Sequence, residues 1–211
     1  MNIKYLLLFL FLITIRGISF SQENSSSNLS VINKLIEESL IPLENKLILL
    51  GKEKLYLLSD ESKSIQGDYI LKILKRNLSG YKILLKPGNT DFTDSVDYII
   101  KIAQPSIKTL YKKIFDEDII GTKKVEREIT VKYDLTLEDK KNLYEVFRNK
   151  FSNRNKDSFN LDEQSVIEDR NYDFSRSAIP EENTVNHLLY PALIIISTAA
   201  AIILFFTIRS N

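Results

Sequence analysis

The stretch VEREITVKYDLTL, residues 125–137, carries the plainest fold signal in the chain. Val125, Ile129, Val131, Tyr133, Leu135 and Leu137 occupy odd positions, and Glu126, Glu128, Thr130, Lys132, Asp134 and Thr136 occupy even ones. A strand sends successive side chains to opposite faces, so this alternation describes a long antiparallel strand with one buried and one wet face. Arg127 is the single charge on the apolar face. Near the strand's entrance its head is expected to reach water over an apolar stem. The alternative is a partner-binding or buried ion-pair role. Residues 138–141 read as a polar turn, and 143–151 as the return strand of a hairpin.

Upstream, Ser30 is placed to cap a helix whose stripe is Val31, Ile32, Leu35, Ile36 and Leu40, with Pro42 as its end. Residues 46–50 and 54–58 read as short strands around Gly51, and 59–64 as a polar loop. Residues 68–78 predict a second helix, apolar through Tyr69, Ile70, Ile73, Leu74 and Leu78, with Gly80 as its stop. Residues 81–85 and 96–102 read as strands, the first closed by Pro87-Gly88-Asn89. For 106–115 both helix and strand fit, and the β context on either side favours strand. The expected fold class is α+β over residues 30–151: an antiparallel-rich sheet with two or more helices on one face.

The two ends carry targeting signals. Residues 1–21 pair Lys4 with the apolar run 5–15 and then Ser19-Phe20-Ser21, the pattern of a secretory signal peptide cleaved between Ser21 and Gln22. An uncleaved anchor is the other reading. Cleavage removes two cations, Lys4 and Arg16, and takes the formal charge from +1 to −1. Residues 22–29 are a flexible polar start, and 152–187 a polar stalk whose scattered aromatic residues suggest partial packing on the domain. Residues 188–208, bounded by Leu188 and Ile208, hold no charge. At ~1.5 Å per residue this stretch is expected to cross the ~30 Å hydrocarbon core as one transmembrane helix. Residues 209–211 would be a cytoplasmic tail and the domain extracytoplasmic, a single-pass type I arrangement in a cell membrane. A lipid-anchor signal with attachment at Ser175 or Ser177 is the alternative. Within the span, Ser197 and Ala201 form a small-xxx-small face that suits helix pairing, and so a homodimer.

Composition excludes several chemistries. With 29 basic and 28 acidic residues the chain is not a strongly basic nucleic-acid binder, and no nucleic-acid partner is expected. Cysteine is absent, so disulfides, thiolate nucleophiles and a lipid-modified N-terminal cysteine are ruled out. His187 is the one histidine, too few for a common zinc site, and its place beside the apolar segment rules out a Ser-His-Asp triad inside the domain. The cluster Asp116-Glu117-Asp118 lacks calcium-loop spacing and reads as a solvated turn. The isolated glycines make no phosphate loop. Lys72, Lys75 and Arg76 read as a solvated helix face, and the Asn24, Asn28 and Asn77 sequons matter only in a eukaryotic secretory setting. No catalytic residue, metal or cofactor is expected.

The residues KLYLL at 54–58, ILKRNL at 73–78, YKILL at 81–85 and the paired strands of 96–137 form a β-α-β-β order. That order resembles envelope-assembly accessory domains of the lipopolysaccharide-assembly lipoprotein and curli-secretion types over about 100 residues. Those proteins usually carry a lipid on an N-terminal cysteine, which this chain lacks, so no functional residue is carried over. The resemblance implies a non-enzymatic module that binds other envelope proteins as an assembly or transport accessory. A small carboxylate hydrolase and a ligand-binding ectodomain are the alternatives. Carboxyl groups with raised pKa in a cleft would favour the hydrolase and a deep apolar pocket the ectodomain, whereas an unpaired edge strand would favour the accessory.

Overall fold

The computed structural model of the protein describes residues 25–85, 95–116, 122–181, 191–200 and 202–203. Helix α1 spans Asn28–Leu50, with Ser27 as its N-cap; the Ser27 hydroxyl accepts the Ser30 N–H at 3.2 Å. Its buried stripe runs through Val31, Ile32, Leu35, Ile36, Leu40, Leu43 and Leu47 without a break. Leu43 and Leu47 thus continue the 3.6-residue period past Pro42. The strand expected over 46–50 is the last turn of this helix, and Pro42 sits exposed inside it. Burial of one continuous face outweighs the single backbone hydrogen bond that a proline removes.

Strand β1 (Leu55–Asp60) leads through a tight turn to α2 (Ile65–Asn77), then to β2 (Lys82–Leu85). Asp60 holds that turn: its carboxylate accepts the N–H groups of Ser62 and Ser64, both at 2.9 Å, while Ser64 caps α2 by accepting the Gly67 N–H at 2.9 Å. Three long strands follow: β3 (Tyr98–Asp116), β4 (Lys123–Asp139) and β5 (Tyr144–Asn160). The sheet order is β2-β1-β3-β4-β5.

The sheet is mixed, which corrects the antiparallel-rich expectation: β1 pairs parallel with both β2 and β3, whereas β3-β4 and β4-β5 are antiparallel. Helix α2 provides the crossover that a parallel pair needs, and it shares one sheet face with α1. β3 joins the two halves. Its first residues pair with β1 as far as Ile102; at Gln104, where φ is +51°, and Pro105 the register shifts, and the remainder pairs with β4 alone.

The main core gathers α1, α2 and the odd-numbered residues of β4. A smaller cluster of Tyr111, Val125, Phe159 and Ile167 lies under the segment after β5. That segment, 161–181, holds a short turn Leu161–Glu163, the four-residue α3 (Gln164–Ile167) and a turn at Asp173–Ser175. It returns over the helix side of the sheet, where Tyr172 and Phe174 pack edge-on to Tyr69 of α2, 4.9 and 5.2 Å between ring centres.

The expected transmembrane helix is corrected as well. Residues 191–200 and 202–203 are helical. Among the described residues no helix is long and apolar enough to cross a membrane. The expected signal peptide with its Ser21–Gln22 cleavage point, the bounds Leu188 and Ile208, and the tail 209–211 lie outside the described residues.

Candidate functional site: two sheet edges and a buried arginine

The four-residue β2 forms one outer edge of the sheet, and because the long strands outrun β1, two longer lengths of edge remain to account for. The first is β3 beyond Gln104–Pro105, and it is covered. The Gln66 side chain reaches from α2 and acts as a substitute strand: its Oε1 accepts the Ile107 N–H at 3.0 Å and its Nε2 donates to the Ile107 carbonyl at 3.4 Å. Further along, the Tyr111 N–H donates to the Ser177 hydroxyl at 3.3 Å, and the Thr109 hydroxyl donates to the Phe174 carbonyl at 2.8 Å.

The second is the outer side of β5. Among the described residues no strand pairs with it. Seventeen residues at ~3.3 Å give about 55 Å of edge, and every second residue turns both its N–H and its C=O outward. The face of β5 turned away from the helices carries Arg148, Lys150, Ser152, Arg154, Lys156 and Ser158, all exposed.

Arg148 is paired with Glu145 of the same strand, its Nε donating to Oε2 at 2.8 Å, and the other cations share two carboxylates. Lys150 lies 3.4 Å from Asp134 on β4, and Arg154 and Lys156 lie 3.7 and 3.6 Å from Glu128. Glu128 also takes Lys112 at 3.0 Å, and that hydrogen bond is the main reason its carboxyl sits below the usual range. One carboxylate therefore serves three cations, and the strip is net positive. A cleft of about 330 Å³ opens beside the covered β3 edge. It is lined by Lys108, Glu128 and Arg176 as well as by Ile107, Leu110 and Phe174.

Behind β5, on the helix side, lies Arg127. It is 1% exposed and does not reach water. Its Nε donates to Asp157 Oδ1 at 2.7 Å and its NH2 group donates to Asp157 Oδ2, a two-point grip from the neighbouring strand. Its NH1 group donates to the Ser26 carbonyl at 2.8 Å and to Asn28 Oδ1 at 2.6 Å, while the guanidinium lies 5.7 Å from the Phe159 ring centre. The Asn28 amide in turn donates to the Tyr111 hydroxyl at 2.8 Å and to the Ser175 carbonyl at 2.6 Å. The Tyr111 hydroxyl donates to Glu168 at 2.9 Å, and burial, first of all, pushes its pKa far up. One network thus ties the start of α1 to β3, β4, the segment 161–181 and the Asp157 end of β5.

Arg127 was flagged by the sequence alternation; Asn28, Tyr111, Asp157 and Glu168 were not. Asp157 interrupts no apolar pattern, because Asn149, Asn153 and Asn155 occupy the same face of β5. Of the expected helix-pairing face, Ser197 is described: its hydroxyl donates back to the Ile194 carbonyl at 3.0 Å. Ala201 lies outside the described residues, as do His187, Glu117 and Asp118. Asp116 ends β3, and among the described residues no group of three or more His, Cys, Asp or Glu is placed to hold a metal.

No protein-family profile matches the chain, and no curated protein sequence matches it. Solved bacterial structures resemble it in part. A neuraminyllactose-binding haemagglutinin homologue from Helicobacter pylori is 14% identical, with 51% of this chain and 67% of that one covered and a TM-score of 0.34. A minor lipoprotein from Acinetobacter baumannii is 15% identical, with 54% and 70% covered and a TM-score of 0.29. The rare lipoprotein B from Shewanella oneidensis is 13% identical, with 69% and 95% covered and a TM-score of 0.27.

Proposed function

We propose that this chain is a non-enzymatic interaction module of the cell envelope, an assembly or transport accessory whose docking element is the outer edge of β5. The observation that carries this reading is the contrast between the two edges. The fold spends Gln66 and Ser177 on backbone groups of the β3 edge, and leaves the longer edge of β5 without a strand partner among the described residues. An unpaired edge accepts an extended segment of another protein by backbone hydrogen bonding. The secretory pattern of residues 1–21 supports an envelope setting.

The carboxylate-hydrolase alternative needs an acid held protonated near neutral pH. Among the described residues, the carboxyl groups whose pKa is displaced, Glu53, Asp97, Glu128, Asp139 and Glu163, are all displaced downward.

Site-specific photocrosslinking in living cells tests the proposal. A photoreactive residue at Ser152, on the β5 edge, is expected to give a discrete protein adduct. One at Lys72, exposed on α2, is not. Equal labelling from both positions, or none from Ser152 where known complexes are captured, would refute it.

A further inference from the structure

We infer that the segment received by β5 is acidic and comes from a different protein, not from a second copy of this chain; this inference rests on the edge reading above. Side chains on an added strand that share the open face of the sheet stand beside Lys150, Arg154 and Lys156. These are 74%, 56% and 56% exposed, with only Asp134 and the shared Glu128 to balance them. Lys132, also exposed, adds to the strip between Ser106 and Ser152. Opposite charges directly across a strand pair attract and like charges repel. Carboxylates at every second position of the incoming strand complete this face.

The same row acts against self-pairing. Antiparallel pairing of two β5 strands about Ser152 sets Lys150 against Arg154 and Arg148 against Lys156 of the other copy, on both sides of the centre. Shifting the centre to Asn153 sets Lys150 against Lys156, and shifting it to Phe151 sets Arg148 against Arg154, so like charges still meet in the neighbouring registers. Charged edge residues that block like strands while leaving the backbone free for an oppositely charged one discriminate between partners by repulsion as well as attraction.

The test uses the full-length chain and three synthetic strand peptides that alternate Val with Glu, Gln or Lys. Amide hydrogen exchange of β5 and titration at low and high salt are the readouts. The Glu peptide is expected to protect alternate β5 amides and to bind about tenfold tighter than the Gln peptide, which is roughly 1.4 kcal/mol. That preference should shrink in high salt and in the triple variant Lys150→Gln, Arg154→Gln, Lys156→Gln. If the Gln and Glu peptides protect β5 equally, the acidic preference is overturned and the edge reading stands. If no peptide protects β5, both fall. Protection of β5 that grows with protein concentration alone would overturn the exclusion of a second copy.

Discussion

Arg127 and Asp157 are not equivalent members of their pair, and removing each should cost a different amount. The guanidinium is 1% exposed, whereas a third of the Asp157 side chain faces water. Asp157→Ala leaves a buried cation with two neutral acceptors, the Ser26 carbonyl and Asn28 Oδ1. Breaking a buried pair in this way costs 3–5 kcal/mol, and the partial exposure of Asp157 sets the expectation at about 3 kcal/mol. Arg127→Met leaves a carboxylate that water can reach and a methionine lying against Phe159. About 1–2 kcal/mol is expected, mostly from Asn28 losing its donor. The double variant Arg127→Met, Asp157→Asn removes both charges and should be less destabilised than the sum of the singles by about 1.5 kcal/mol. Urea denaturation followed by circular dichroism resolves these differences against a total of roughly 5–15 kcal/mol. Additive single costs, or an Asp157→Ala variant more stable than Arg127→Met, would refute the claim that the cation is the buried, dependent partner.

Two further outcomes follow from local geometry. A methyl group at Gly67 would overlap the Asp60 carboxyl, with Oδ1 at 2.8 Å, and that carboxyl is tied to the Ser62 and Ser64 amides. Gly67→Ala should therefore lose about 2 kcal/mol in a urea melt; helix propensity alone predicts a gain of about 1 kcal/mol, so a stabilised variant would contradict the packing. Tyr133 donates to the Ser39 hydroxyl, which donates to the Ile36 carbonyl, and burial pushes the phenol up to about 12. The unfolded phenol titrates near ~10, so the unfolded chain loses this proton first. The stabilisation is complete below pH ~10 and falls between ~10 and ~12. Tyr133→Phe should flatten this alkaline loss, and an unchanged slope in pH-dependent melts would contradict the assignment.

Much of the fold is legible in residues 125–137. Every odd position there is buried because the apolar pattern has the same period as the backbone, and no distant residue is needed to establish it. Helix α2 is legible for the same reason, as its apolar stripe and charged face share one turn of spacing. Pro42 shows where local reading stops. A proline ends an isolated helix, but the stripe through Leu43 and Leu47 has a sheet to bury against, and only the folded chain supplies that surface.

The sequence by itself determined the elements whose periodicity is local: the β4 strand, the first half of its hairpin partner β5, read as 143–151, the apolar faces of α1 and α2, and the exclusion of thiol and zinc chemistry; residues 152–160, read as the start of a polar stalk, are the second half of β5. The tertiary structure alone decided which strands became neighbours. Parallel pairing of β1 with β3, the Gln66 cover on one edge, and the grip of Arg127 on Asp157 and on the Ser26 carbonyl join residues from 30 to 101 positions apart, and the same fold leaves the edge of β5 open among the described residues. Such contacts depend on where the chain returns in space, and hydrogen-bonding groups of a strand edge look alike in sequence whether a neighbour covers them or not.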